Sequence, residues 1–301
     1  MKLVLLAAVF AFATAHAAIA APPVVVVSLK PLHSLVAMVM EGVAVPALLL
    51  PAATSPHVYT LRPSDARLLN GADLVVWGGP GLESFLEKPI TATAARARVI
   101  SLADQAGLDL LPLREAGAAD DHDHAQAGGR DMHFWLDIDN ALHIVRAMAE
   151  VLAAADPPNA GRYLANAQSS AAELILLDRE LDRLLAPVAG TPFLSLHDAF
   201  QYFELRYGLT SAGTLTVNAE RLPGARTIAQ LRNTIAEAHV ACIVGEQQFP
   251  PALARTLTDG TGAGVQVVDV LGKDLAPGPG AYPAMLRRLA ADFRRCLSRR
   301  N

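Results

Sequence analysis

The chain runs to 301 residues, 52% of them hydrophobic and 18% charged, with a formal net charge of −4. That apolar content excludes a disordered chain, which needs low hydrophobicity and high net charge, and the slightly acidic balance excludes a basic surface for nucleic acid. The length suffices for two compact domains, each with its own core.

Lys2, the apolar run Leu3 to Ala13 and the small residues after it read as an export signal over residues 1–21, with Ala15-His16-Ala17 and Ala18-Ile19-Ala20 as cleavage sites. The run falls short of the ~20 apolar residues a membrane span needs, so an anchor is the weaker reading. No Cys near the cleavage sites indicates a lipid anchor. A second apolar stretch, Leu35 to Ala53, is interrupted by Glu41-Gly42 and Pro46 and reads as a helix end, a turn and a buried strand.

Short apolar runs then alternate with helical patterns. Pro23 to Ser28, Val45 to Leu50, Ala72 to Trp77 and Val99 to Leu102 read as buried strands in the first half. Pro192 to Leu196, Ala212 to Val217, Ala241 to Gly245 and Val265 to Val270 read the same way in the second. Strands that lack alternation and are spaced by helices predict parallel sheets covered on both faces. The fold class is therefore α/β, with two similar lobes of four strands each, over residues 22–155 and 189–301.

Between the lobes, residues 156–188 predict one long helix. Asp156-Pro157-Pro158 is a start signal. Leu164, Ala167, Ala171, Leu174, Leu177, Leu181 and Leu184 recur at spacings of three and four, and Pro187 and Gly190 end the pattern. About 29 residues at 1.5 Å each give roughly 43 Å, enough to join two lobes rigidly. Residues 115–131 read as a polar loop containing Asp120-Asp121-His122-Asp123-His124. The arginines from Arg287 to Arg300 read as a solvated helix face. The two cysteines, Cys242 and Cys296, leave two readings: a bridge formed in an oxidising compartment, or two buried thiols.

Enzyme signatures are missing: there is no Walker loop, H-E-x-x-H, G-x-S-x-G or C-x-x-C, and Gly78-Gly79-Pro80-Gly81 reads as a turn. The histidines carry more. His57 follows the second predicted strand, His133 follows the polar loop, His197 follows the fifth strand, and Asp269 closes the eighth. Ligands of open parallel sheets bind beyond the carboxyl ends of the strands, and imidazoles with a carboxylate fill a four-coordinate zinc site. Two of these residues come from each lobe, so a cleft between the lobes could gather them. His33, His143 and His239 read as structural or exposed.

Several longer stretches strengthen this reading. They are Ser55-Pro56-His57-Val58-Tyr59-Thr60-Leu61-Arg62-Pro63-Ser64-Asp65, Ala72 to Trp77, His133-Phe134-Trp135-Leu136-Asp137, His197 to Phe203, Gly245 to Phe249, and Asp269-Val270-Leu271-Gly272. Together, and in this order, they resemble the metal-specific substrate-binding proteins of ABC importers, in particular their zinc-binding branch. The resemblance implies two α/β lobes, a backbone helix and a metal cleft between the lobes. It implies Zn2+ as the transported ligand, held by His57, His133 and His197. The fourth position falls to Asp269 or to water, since Pro56 cannot bind. The two cysteines stand where zinc-binding members carry a disulfide. His122 and His124 are candidates for an accessory metal-gathering role, in a loop shorter in histidine than that of many members. Val270 departs from the usual Pro.

Three imidazoles favour zinc over manganese, which prefers oxygen donors. The function expected is therefore periplasmic: a monomer that captures zinc and docks on a membrane permease driven by its ATPase, without enzymatic activity and without a nucleic-acid partner. The alternatives are a manganese or iron carrier of the same family, a zinc hydrolase with Glu246 as base, and a surface adhesin of the same fold.

Overall fold

The computed structural model describes residues 21–51, 59–105, 107–114, 129–216, 224–247 and 251–298. The apolar runs form two parallel four-stranded sheets. The first contains β1 (Val25–Val27), β2 (Ala47–Leu48), β3 (Leu74–Trp77) and β4 (Arg98–Ser101), in the order β2-β1-β3-β4. The second contains β5 (Pro192–His197), β6 (Thr210–Thr216), β7 (Cys242–Glu246) and β8 (Gly264–Val268), in the order β6-β5-β7-β8. The two sheets share one topology. Each has a switch point, between β1 and β3 and between β5 and β7, where successive connections leave in opposite directions and open a crevice at the carboxyl ends.

β1 and β2 are shorter than the apolar runs that contain them. The excess apolar residues continue into turns that pack on the core: Leu29, Leu49 and Leu50 are buried outside the strands.

Helices cover both faces of each sheet. α1 (Lys30–Met40), α2 (Pro63–Asn70), α3 (Glu87–Thr93) and α4 (Ile138–Ala155) belong to the first half. α5 (Ala160–Leu185) follows, and α6 (Gln201–Tyr207), α7 (Ala225–Glu237), α8 (Pro251–Thr258) and α9 (Ala281–Leu297) belong to the second. One apolar cluster runs from Val25 and Val27 of β1 through Leu35 of α1, Ile144 of α4 and Leu174 of α5 to Phe293 of α9 and Phe193 of β5. The outer face of the first sheet packs separately on α2 and α3 through Leu69, Leu86 and Ile90. That of the second packs on α7 and α8 through Leu231, Ile235 and Leu257.

α5 is the element common to both halves. Its 26 residues span ~39 Å at ~1.5 Å each. Short 3₁₀ turns at Pro157–Asn159 and Ala186–Val188 extend it at both ends, where proline cannot continue the α ladder. The buried stripe is Tyr163, Ala167, Ser170, Leu174, Leu177, Leu181 and Leu185. It differs from the expected stripe at three places, where Leu164 is exposed and Ala171 and Leu184 are only partly buried. At the amino end the cause is Tyr163: its hydroxyl donates to Asp156 Oδ2 at 2.8 Å, so the whole ring can be buried in place of Leu164. Asp156 also accepts Asn159 Nδ2 at 2.8 Å and thus serves side chains rather than the backbone N–H groups of a cap.

Hydrogen bonds cross between the halves on the same layer. Buried Lys30 donates to the carbonyls of Gly272, Lys273 and Leu275 at 2.7, 2.9 and 2.8 Å. Trp135 Nε1 donates to Val270 O at 3.0 Å, and Tyr282 Oη to Trp135 O at 2.7 Å. Arg206 of α6 bonds Asp178 of α5 and Asp137 at the start of α4. Among the described residues, no helix is long and apolar enough to cross a membrane.

A disulfide joins Cys242 of β7 to Cys296 of α9, with a Cα–Cα distance of 5.6 Å across 54 residues of sequence. Closing a loop of that length stabilises by about 4 kcal/mol in the chain-entropy model. Urea unfolding of the metal-free protein with and without reductant should show a loss of that order, with Cys296→Ala equal to the reduced form.

Candidate metal centre

His133 and His197 reach one place from opposite halves. His133 opens the 3₁₀ turn Phe134–Leu136, whose three side chains are fully buried. That turn leads into α4 through Asp137, whose carboxylate accepts the Asn140 N–H at 3.1 Å as an N-cap. His133 is thus held by a packed anchor rather than by a loose loop. His197 is the last residue of β5, at the switch point of the second sheet. The two rings lie 5.0 Å apart between centroids, at 75° to one another.

Each imidazole is oriented by a carboxylate. His133 Nδ1 bonds Asp131 Oδ1 at 2.8 Å, and the same oxygen accepts the His133 backbone N–H at 2.9 Å. His197 Nδ1 bonds Glu246 Oε1, at the end of β7, at 2.8 Å. An ionised carboxylate only accepts, so Nδ1 carries the proton in both rings. Coordination to a metal would then go through Nε2, in the carboxylate–histidine–metal arrangement common in metalloproteins.

Acidic groups surround this pair. Burial lowers the pKa of His133, but the charge and hydrogen bond of Asp131, with Glu246 and Asp198 behind them, outweigh it and leave the value raised. Burial raises the carboxyls of Asp198 and Glu204, against the opposing pull of Arg114. Arg114 bonds Asp198 at 3.1 Å and also bonds Glu204. Four buried carboxyls and one guanidinium leave a negative surrounding that favours a divalent cation.

The second half also grips the stem of the polar loop. Tyr202 Oη accepts the Leu111 N–H at 2.9 Å and donates to Asp131 O at 2.7 Å. Leu113 N donates to Gly129 O, and Asp131 N to Leu111 O. Gly129, Arg130 and Asp131, which the sequence reading placed in the loop, therefore close its stem, and Asp131 is buried there.

Asp269 lies one residue past β8 rather than within it. Its carboxylate is taken up by its own loop, Oδ1 accepting the Leu271 N–H at 2.9 Å and Oδ2 the Lys273 N–H at 2.5 Å. His33 is buried with Nε2 against Pro46 O at 2.9 Å, and His143 and His239 are exposed. His57, His122 and His124 lie outside the described residues. Among the described residues, no three of His, Cys, Asp and Glu gather as a metal-holding group; what the structure brings together is His133, His197 and their carboxylates.

The sequence reading passed over Asp131 and took Glu246 only as a base for the hydrolase alternative. An acidic residue two positions before His133, and one at the end of the strand beside that of His197, were the available signals.

Residues 25–296 match the family model described as zinc-uptake complex component A, periplasmic. A high-affinity zinc uptake system protein ZnuA of Brucella suis biovar 1 (strain 1330) is 39% identical over 306 residues, covering 91% of this chain and 92% of its own. The protein of the same name from Yersinia pestis is 32% identical over 289 residues, covering 91% of each. A crystal structure titled as that of ZnuA superposes with a TM-score of 0.80 at 25% identity, covering 92% of this chain and 100% of its own.

The His133–Asp131 pair has a pH signature in the metal-free protein. A histidine with a raised folded pKa contributes stability that is full below its unfolded value and fades as pH rises through the folded one. Asp131→Asn should therefore destabilise more at about pH 5 than at about pH 8.5, on either side of the ordinary imidazole value, when urea unfolding is followed at both. An equal loss at the two pH values would show that the pair does not titrate with folding.

Proposed function

The chain belongs to the family of periplasmic zinc-uptake components, and we propose that it captures Zn2+ between its lobes and hands it to the permease of an ABC importer. The observation that carries this reading is the meeting of two imidazoles from opposite halves, 5.0 Å apart, each held through Nδ1 by a buried carboxylate. In the proposed site, His57, His133 and His197 hold the ion. The fourth position belongs to water or to Asp269; the two backbone N–H groups on the Asp269 carboxylate favour water. His122 and His124 would act only as an accessory metal-gathering pair.

Zinc is favoured over manganese because the donors are imidazoles rather than oxygens. The protein is proposed to bind and not to catalyse. Glu246, the base a zinc hydrolase would need, bonds the Nδ1 of His197 and so orients a ligand. We assign residues 1–21 to an export signal, 22–155 and 189–301 to the two lobes and 156–188 to the joining helix, in a monomeric periplasmic carrier. The Lys30, Trp135 and Arg206 bonds that cross the layer support small lobe movement on binding.

Zinc must displace the proton that an imidazole carries at low pH. With the His133 value raised, that competition begins at a higher pH than for an ordinary imidazole, and affinity falls as pH drops through it. Titration of the chelator-stripped protein should give tight one-to-one zinc binding that manganese does not displace, with a rise in Tm on loading. His197→Ala should abolish tight binding, and Glu246→Ala should weaken it by about 10–100-fold, the usual cost of removing a carboxylate behind a metal-bound histidine. Full zinc affinity in His197→Ala, or a preference for manganese, would overturn the assignment.

A further inference from the structure

The crevice of the second sheet holds the His197–Glu246 pair. The matching crevice of the first sheet, between β1 and β3, holds Glu83, a fully buried carboxyl. Glu83 Oε2 accepts the N–H of Gly78, the residue after β3, at 2.7 Å. The N–H of Gly79 and the hydroxyl of Ser28, the residue after β1, also act on it. Ser28 Oγ and Glu83 Oε1 are buried, and neither makes a hydrogen bond of ordinary geometry. Glu83 thus lies between the ends of two neighbouring strands without an ion-pair partner among the described residues.

Its surroundings lead toward His133, the first-lobe imidazole of the proposed site that lies among the described residues. The described chain on either side of residues 52–58 also packs near Glu83. Leu50 N donates to Ser28 O at 2.9 Å, and the Tyr59 ring stands edge-on to Phe85, two residues past Glu83, at 5.6 Å. On the other side, the Gly78–Glu83 turn bears on Met132, the neighbour of His133. A Cβ at Gly81 would come within 3.1 Å of the Met132 sulfur, and one at Gly79 within 3.7 Å of its methyl. Gly79 has φ +127°, which a larger residue would hold only under strain.

We propose that Glu83 is a positioning residue for metal capture, tying the ends of β1 and β3 together beneath the turn that bears on Met132, the neighbour of His133. The inference rests on the zinc reading above. Burial pushes the Glu83 carboxyl up to about 7, the Ser28 hydroxyl and the two glycine N–H groups opposing it only in part. The groups that face it are that hydroxyl just past β1 and those N–H groups just past β3; among the described residues no charged side chain acts on it. The neutral acid accepts on Oε2 and can donate toward Ser28 from its other oxygen. Glutamine reproduces both roles, whereas aspartate is too short to span the crevice.

Zinc affinity, by competition with a chelating dye, and the Tm of the metal-free form are to be measured for the exported chain and for Glu83→Ala, Glu83→Asp and Glu83→Gln. Alanine and aspartate should weaken zinc binding by about tenfold or more, and glutamine by less than about threefold, taking the cost of losing groups behind a metal ligand as the scale. A carboxyl whose folded pKa is raised loses its stabilising effect as pH climbs from the unfolded value to the folded one. The Tm of Glu83→Gln should therefore fall less than that of the parent between about pH 5 and about pH 8. If Glu83→Ala does not fold, Glu83→Asp decides. Parental zinc affinity in the alanine or aspartate variant, whatever its Tm, overturns the proposal, as does a loss in Glu83→Gln equal to that in Glu83→Ala. His197→Ala is measured alongside. Full zinc affinity retained there defeats the site assignment on which the inference rests, while binding lost there but kept in the Glu83 variants defeats only the role of Glu83.

Discussion

A single apolar layer serves both sheets, and the position of the metal centre follows from it. α5 buries Tyr163 and Leu174 toward the first half and Leu181 and Leu185 in the same continuous core as Phe193 and Phe293 of the second. Burying one such side chain stabilises by roughly 1.5–3 kcal/mol, so drawing the lobes far apart would expose many at once. The polar contacts that cross the layer follow the same constraint. Lys30 places a cation at the amino end of α1, where the helix dipole opposes it, and burial lowers its pKa. Three carbonyls of the other half and the nearby Asp269 and Asp274 offset that cost.

With the lobes set, the two switch-point crevices become the natural places for polar groups, because the ladders end there and backbone N–H groups are left to bind something. The lobes use them differently. In the second, His197 and Glu246 stand at the ends of adjacent strands β5 and β7, so an acceptor and an imidazole meet without a loop between them. In the first, β1 and β3 end in Ser28 and Gly78, neither of which can bind a metal strongly, and Glu83 fills the crevice from a turn. The first-lobe imidazole of the proposed site that lies among the described residues comes from a segment packed on that turn. It is His133, which has its own carboxylate two residues away, one Asp131 oxygen accepting from both its backbone and its ring.

Much of the fold was legible in the sequence because the signals were local. Valine-rich runs such as Val24 to Val27 and Leu74 to Val76, without alternation, can only be strands covered on both faces, and the long helix followed from its three-and-four spacing. The ends were harder. Whether Tyr163 or Leu164 faces the core depends on Asp156 satisfying a hydroxyl, a tertiary fact with no local pattern. The site was half legible for the same reason. His133 and His197 stood out by type and by position after strands or the polar loop. Asp131 fell at the edge of an acidic loop, and nothing in the sequence singled out Glu83, since burial of a carboxylate leaves no mark on the residues beside it. The loop contacts of Asp269 could not be read from sequence either: an acid after a strand can bind a metal or close its own turn, and only the positions of the Leu271 and Lys273 N–H groups distinguish the two.

Capture and delivery make opposite demands on such a centre. Carboxylates behind the imidazoles raise their basicity and fix their aim, which strengthens binding, yet an ion held too firmly is never passed on. The charge arrangement moderates the first effect. Arg114 is bonded to Asp198 and Glu204, which leaves Asp131 and Glu246 as the carboxylates that bond the imidazoles directly. In the proposed site the ligands are divided between two lobes, which addresses the second. A small relative shift lengthens the bonds from one lobe while those from the other hold, so affinity can fall steeply without any element unfolding. The stiffness of the shared core and the ease of release are therefore compatible: the same layer that fixes the imidazoles at capture lets a slight displacement, imposed from outside, unmake the site.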